Sequence, residues 1–333
     1  MFNNKSILIT GGTGSFGRYF SNYIVKKYPQ IKKIVILSRD EFKQFEMKEN
    51  IEKKYIRKFR FFLGDVRDKD RLNIAFKDID YVIHAAALKQ VPTAEYNPFE
   101  FIKTNINGAQ NVIEASLFNN VKKVIALSTD KASSPINLYG ATKLCSDKLF
   151  TTANNIKGKS NIIFSVVRYG NVMGSRGSVI PKFVEQKKTG IFTITDNNMT
   201  RFNISLMDSV KLVIDAIKYS KFGGEIFVPK IPSYKICDLA KSISTKCKLL
   251  IVGIRPGEKL HEELISINES KNTISFKNFY VILPNLNSTN RKKYIANYGS
   301  KFVSSNFNYN SKDNKDFLSI AQLRNMLKKN YIL

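Results

Sequence analysis

Residues Ser6–Phe20 read SILITGGTGSFGRYF, and this stretch decides the fold. The apolar run Ile7–Thr10 leads straight into Gly11, Gly14 and Gly17 at G-x-x-G-x-x-G spacing, and a helical pattern opens near Ser15. Glycines are needed where a backbone turns tightly and approaches a pyrophosphate, whose charge is met by free N–H groups at a helix N-terminus. A glycine-rich loop alone is a weak signal. A strand before it and a helix after it supply the context that marks a dinucleotide site. The loop's candidate cofactor-binding residues are Gly11, Thr13, Gly14, Ser15, Phe16 and Gly17.

Outward from this loop, Ile- and Val-rich runs recur at Ile34–Leu37, Phe59–Leu63, Tyr81–His84, Val124–Leu127 and Ile162–Arg168. Longer segments of helical period separate them, such as Asn105–Phe118. That alternation predicts an α/β fold with a doubly wound, Rossmann-like parallel sheet. Beyond Gly170 the pieces shorten: helices near Ile180–Lys188, Met207–Tyr219 and Ile236–Lys246, with strands near Phe192–Ile194, Glu225–Val228 and Leu249–Ile254. We expect residues 1–170 to bind the cofactor and carry the reacting groups. Residues 171–333 should form mainly a smaller α/β substrate-binding lobe, interleaved with the first. The Asn-, Ser- and Lys-rich tail from about Pro284 to Asn314 reads as irregular, and Phe317–Leu327 as a helix that docks back.

With 333 residues, 43% of them hydrophobic, the chain can bury the core of one enzyme-sized unit. Its formal charge of +27 comes from scattered doublets such as Lys122-Lys123 and Lys187-Lys188, with no zinc-finger, helix-turn-helix or RNP-type motif. The charge therefore reads as solvated surface favouring an anionic small substrate, with no nucleic-acid partner. No apolar run reaches membrane-spanning length, and Asn3 to Lys5 lead directly into a strand, so a cytoplasmic protein without a membrane partner is expected. Cys145, Cys237 and Cys247 lack metal-like spacing; His84 and His261 read as structural, and no metal is expected.

After the second apolar run, Ser38, Arg39 and Lys43 can meet the cofactor's 2′ position, Arg39 through a planar, charge-assisted fork to a 2′-phosphate. Asp40 keeps NAD open, yet the basic pair points to NADP. Asp65 and Val66 follow the third run and should face the adenine; Ala85, Ala86 and Ala87 give a small-residue surface against the cofactor, and Asn105 joins the cofactor set.

The second informative stretch is Leu127–Lys143, LSTDKASSPINLYGATK. Tyr139 and Lys143 lie one helical turn apart, so both share a face. An ammonium beside a phenol favours phenolate, which can take a proton from a substrate hydroxyl as hydride leaves. Thr129 at the strand end and the acid/base pair Asp130-Lys131 complete the candidate catalytic set.

GGTGSFG, SRDE, GDVRD, HAAALK, STDK, YGATK and RYGNV together resemble the extended short-chain dehydrogenase/reductases that modify nucleotide sugars. Within them the chain is similar to the inverting UDP-N-acetylglucosamine 4,6-dehydratases that open pseudaminic acid synthesis, from about Ile7 to Pro284 and weakly through FLSIAQLRNML. Gln90 departs from the His that this resemblance leads one to expect. The resemblance implies NADP as cofactor, UDP-N-acetylglucosamine as substrate and a homo-oligomer, a hexamer by analogy. It also implies oxidation at C4, loss of water across C5 and C6, and return of hydride to C6. Asp130, kept protonated by a desolvated site, would be the acid; Lys131, neutral beside cationic Lys143 and an oxidised nicotinamide, would be the base. Tyr139 would return a proton to C5 from the opposite face. Lys89, Asn171, Arg176 and Arg201 are candidate substrate contacts, with Arg255 on the diphosphate and Glu258 on the ribose by resemblance. Two rivals stand beside this reading: a UDP-sugar C4 epimerase, which need not lose water, and a non-catalytic dinucleotide-sensing protein.

Overall fold

The structure, a computed structural model, describes residues 1–174, 178–284, 291–292, 294–296 and 300–329. The early apolar runs form β1 (Ser6–Thr10), β2 (Lys33–Ser38), β3 (Phe59–Leu63), β4 (Tyr81–His84), β5 (Lys123–Thr129) and β6 (Ile163–Tyr169). They pair in parallel in the order β3-β2-β1-β4-β5-β6, with Ile7 level with Ile34 and Ile83 level with Ile125. Most strand residues are buried on both faces, which is why these runs lack polar alternation. The order reverses between β1 and β4, and a crevice opens there at the carboxyl ends of the strands.

The second half contributes β7 (Asn171–Val172), β8 (Ile191–Ile194), β9 (Thr200–Ile204), β10 (Ile226–Pro229), β11 (Ser233–Lys235) and β12 (Lys248–Ile251). Then come β13 (Glu263–Ile265), β14 (Thr273–Ser275), β15 (Phe279–Ile282), β16 (Lys301–Phe302) and β17 (Tyr309–Asn310). Four of these extend the main sheet past β6: β10 runs parallel to it, and β15, β14 and β16 add antiparallel partners. The rest form small sheets, β11-β9-β7, β12-β8 and β13-β17. Around the first two sits a separate core that includes Phe183, Phe192, Tyr234, Leu239, Leu323 and Leu327. The helix Ile320–Lys329 packs on the helix Ile236–Ile243, so the end of the chain does dock back.

Three expectations change. The tail takes part in the fold: Tyr294 is buried, β17 pairs with β13, and the Tyr309 hydroxyl accepts from Ile231 N and donates to Ile231 O, both at 2.9 Å. Asn105–Phe118 is not one regular helix, because Ile102–Asn107 is wound as a π-helix before the α-helix Gly108–Phe118 begins. The helix expected over Ile236–Lys246 stops at Ile243, where Ser244 turns extended. Among the described residues no helix is long and apolar enough to cross a membrane.

Candidate active site

A cleft of about 1440 Å³ follows the carboxyl ends of the parallel strands and passes beneath the segment Arg255–Glu262. A pocket for one drug-sized ligand spans roughly 300–1,000 Å³. This one has room for a dinucleotide and a second ligand.

The glycine loop forms one end. Gly11 has φ +64°, and a Cβ there would stand 2.9 Å from the Ala86 backbone; at Gly17 it would stand 2.4 Å from the Gly12 carbonyl oxygen. No side chain caps the helix Ser15–Lys27 that follows, and its first turn holds no acid. Its leading N–H groups and the positive end of its dipole therefore face the cleft unopposed, and these residues fit a pyrophosphate. Thr13, Ser15, Phe16, Ser38, Val66, Ala85 and Ala87 also line this end. Arg39 lies at the mouth with its guanidinium 3.5 Å from Asp65. Asp65 is bonded more closely to Arg67, at 2.7 Å; its carboxyl is held below the ordinary range because the hydrogen bonds from Arg67 and the charges of Arg67 and Arg39 outweigh burial. Asp40 caps the helix Glu41–Glu49 through Lys43 N and also ion-pairs with the Lys43 ammonium.

Asn105 is absent from the lining. The wide π-turn directs its amide to Leu88 N and O, both at 2.9 Å, and to Thr142 Oγ1 at 3.0 Å, so it ties down the Ala85–Leu88 loop instead of meeting the cleft. His84 is the structural group expected: it is buried, bonded to Thr10 Oγ1 at 2.8 Å, with its pKa pushed down to about 3 by burial and then by Lys143.

At the end of β5 the chain turns through Asp130–Ala132 into the loop before the helix Leu138–Ile156. Thr129, Lys131, Tyr139 and Lys143 line the cleft. Two chemical expectations fail here. Lys131 is not neutral, because its Nζ lies 3.0 Å from Asp130 Oδ1 and 3.0 Å from Glu262 Oε1. Burial pulls its pKa down, but the two carboxylates outweigh that and hold it above the ordinary lysine value. The Tyr139 phenol is not lowered either: burial carries it up to about 12, against the opposing pull of Lys131 and a hydrogen bond with Thr129. Lys143 directs its ammonium to the Leu127 carbonyl, 2.9 Å away, and burial lowers its pKa.

Asp130 is fully buried and lies behind the lining, with Oδ1 accepting from the Thr129 hydroxyl at 2.9 Å and from Lys131. Both bonds are donated to Oδ1, while Oδ2 is buried without a hydrogen-bond partner. Ser128, the other hydroxyl at this strand end, turns away to Asp147 at 2.8 Å.

Sequence reasoning missed Glu262. It lies in HEEL, one residue past the RPGEK string, and no local pattern pairs it with Lys131; the tertiary fold does. Of the substrate candidates, Lys89, Asn171, Arg201, Arg255 and Glu258 all line the cleft. Lys89 has its pKa lowered by desolvation and then by Lys131. Arg201 reaches Glu258 at 3.4 Å and Glu262 at 3.7 Å, and Arg255 is exposed. Arg176 lies outside the described residues.

The profile of the polysaccharide biosynthesis protein family matches residues 7–284. The chain belongs to this family. As a polysaccharide biosynthesis protein with the extended short-chain dehydrogenase/reductase architecture, it is an enzyme. It is 52% identical over 334 residues to the UDP-N-acetylglucosamine 4,6-dehydratase (inverting) of Campylobacter jejuni subsp. jejuni serotype O:23/36 (strain 81-176), with 98% of each chain covered. It is 44% identical to the UDP-glucose 4-epimerase of Rickettsia bellii (strain OSU 85-389), over 98% of this chain and 96% of that one. Among solved structures, Pen from Bacillus thuringiensis superposes with a TM-score of 0.90 at 38% identity and covers all of both chains.

Proposed function

We propose that this polysaccharide biosynthesis protein is an NADP-dependent UDP-N-acetylglucosamine 4,6-dehydratase that inverts C5. Its product would be UDP-2-acetamido-2,6-dideoxy-β-L-arabino-hex-4-ulose, made for pseudaminic acid. The observation that carries the reading is the Lys131–Asp130 contact of 3.0 Å, set in the same cleft as Tyr139 and the dinucleotide loop. In this reading residues 1–170 hold the cofactor and the reacting groups, and residues 171–333 mainly hold the nucleotide sugar, in a cytoplasmic homo-oligomer.

When bound, the nicotinamide would supply the hydride acceptor that makes C4 a ketone and acidifies the C5 proton, and the same hydride would return to C6 after water is lost. Arg39 favours the 2′-phosphate, since the Asp40 carboxylate is engaged with Lys43 and the start of its helix. Tyr139 acts as a phenolate: its own proton first leaves through the cleft to solvent, with Lys131 and the Thr129 hydrogen bond opposing the cost of the buried charge, and Oη then takes the C4 hydroxyl proton. The pair Asp130-Lys131 shares one proton. Its transfer from Nζ to Oδ1 turns ammonium and carboxylate into amine and carboxylic acid, the base and acid that elimination needs. Lys131 Nζ, which lines the cleft, then removes the C5 proton. Asp130 reaches the departing C6 oxygen through the Thr129 hydroxyl: Oδ1 gives its proton to Oγ1 as Oγ1 gives its own to the leaving group, and water departs. Arg255, Arg201 and Lys89 meet the anionic nucleotide, with Glu258 on the ribose.

The test is incubation with UDP-N-acetylglucosamine in deuterated water. A product lighter by one water and labelled at C5 is expected. A C4 epimer at unchanged mass would overturn the reading in favour of the activity that the Rickettsia relative's name describes.

A further inference from the structure

Glu262 is one of the most enclosed acids in the cleft, about 1% exposed. Its Oε1 touches Lys131 Nζ at 3.0 Å and approaches Arg201 Nε at 3.7 Å, while Oε2 is buried without a hydrogen-bond partner. The placement is built from several sides. Glu262 N donates to Ser311 Oγ at 2.9 Å, Ser311 N donates to Glu262 O at 2.7 Å, and Ser311 Oγ also meets Thr200 Oγ1 at 2.7 Å. On the other flank the Ser133 and Ser134 hydroxyls donate to Glu263 Oε2 at 3.0 and 2.7 Å, and Lys259 Nζ donates to Ser133 O at 2.6 Å. These bonds stitch Lys259–Glu263 to the turn that bears Asp130 and Lys131. A surface ion pair has no such scaffolding and contributes about 0–1 kcal/mol.

We propose that Glu262 is a positioning residue of the reaction centre: it clamps Lys131 Nζ opposite Asp130 and keeps loaded the one proton that Asp130 and Lys131 share. Glu262 does not touch the sugar carbons in this arrangement and acts through Lys131. Without it, Nζ is free to swing off the line between Asp130 and the cleft, and the shared proton is lost to solvent more readily. The charged and titratable groups around Lys131 are Asp130 on its own turn, Tyr139 on the following helix, Lys89 past β4, Arg201 on β9, Tyr234 on β11, and Glu258, Lys259 and Glu262 on the segment before β13. Asp130 and Glu262 are the two carboxylates in direct contact, so removing Glu262 takes away half of the negative charge that touches the ammonium.

The inference rests on the dehydratase reading, and the experiment separates the two. Wild-type enzyme is first shown to release water from UDP-N-acetylglucosamine; failure there removes the reading and this inference with it. Glu262→Gln is then measured for kcat and KM across pH, with UDP binding and thermal unfolding as controls. General acid–base groups are worth roughly 10²- to 10⁴-fold in rate, so loss of the clamp should lower kcat by about tenfold or more. UDP affinity should change little by comparison. The alkaline limb of the pH profile should move to lower pH, because the lost negative charge no longer holds the proton on Lys131. A merely structural role predicts a lower rate with an unmoved alkaline limb, and that result would overturn the proposal. Should Glu262→Gln fail to fold, Ser311→Ala, which removes only the hydroxyl under the Glu262 N–H, decides: a smaller displacement in the same direction supports the clamp, and an unmoved limb sinks it.

Discussion

Lys131 shows how much a residue's chemistry depends on neighbours that lie far along the chain. The order STDK puts an acid beside an amine, and a β-strand before it buries them, so the pair was legible from residues alone. Its charge state was not, because Glu262 arrives through tertiary structure. Tyr139 teaches the same lesson: Y-x-x-x-K spacing places Lys143 on its helix face, but burial and Lys131 set the phenol's acidity. Arg39 is the converse, a local signal whose surroundings stay open. It remains half exposed at the cleft mouth, and its 3.5 Å contact to Asp65 is longer than that of Arg67. Arg39→Ala should therefore weaken NADP binding by roughly tenfold or more, the worth of a charge-assisted phosphate contact of about 1.5–3 kcal/mol, and leave NAD binding nearly unchanged. Titration of both dinucleotides by calorimetry checks this, and equal losses for the two would refute it.

At the scale of elements, the parallel strands were readable because burial on both faces writes a continuous apolar run. Short antiparallel pieces such as Glu263–Ile265, Thr273–Ser275 and Phe279–Ile282 carry too few residues to establish a period, and the sequence reading passed over them. The π-helix was also invisible, because its i→i+5 bonding shifts the register without changing composition. The Asn-rich tail was misjudged for a different reason: its order comes from single side chains inserted into a core made elsewhere. Tyr309 is the clearest, packed 4.9 Å from Phe202 and bonded at both polar groups of Ile231. Tyr309→Phe keeps the ring and strands the Ile231 N–H, while Ile231 O keeps the bond from Asn314 Nδ2 at 2.9 Å; the change should cost about 1–3 kcal/mol in unfolding free energy. Denaturant unfolding measures it; unchanged stability would mean that these two bonds add nothing.

The whole molecule carries a formal charge of +27 without a nucleic-acid motif, and that excess acts on its stability. Like charges spread over one compact body repel, and salt shortens the range of that repulsion from about 30 Å at 0.01 M to about 10 Å at 0.1 M. The melting temperature should rise over this interval. A fall on adding salt would show that attractive ion pairs, such as those at Asp80 and Glu52, dominate instead. Topology has an effect of its own, because the seat of Glu262 is made by Ser311 and by the strand Tyr309–Asn310. During synthesis the nucleotide half leaves the ribosome and can assemble long before that serine appears. A nascent chain stalled between the two would lack the seat of Glu262, so the clamp proposed above closes only once that late strand has joined.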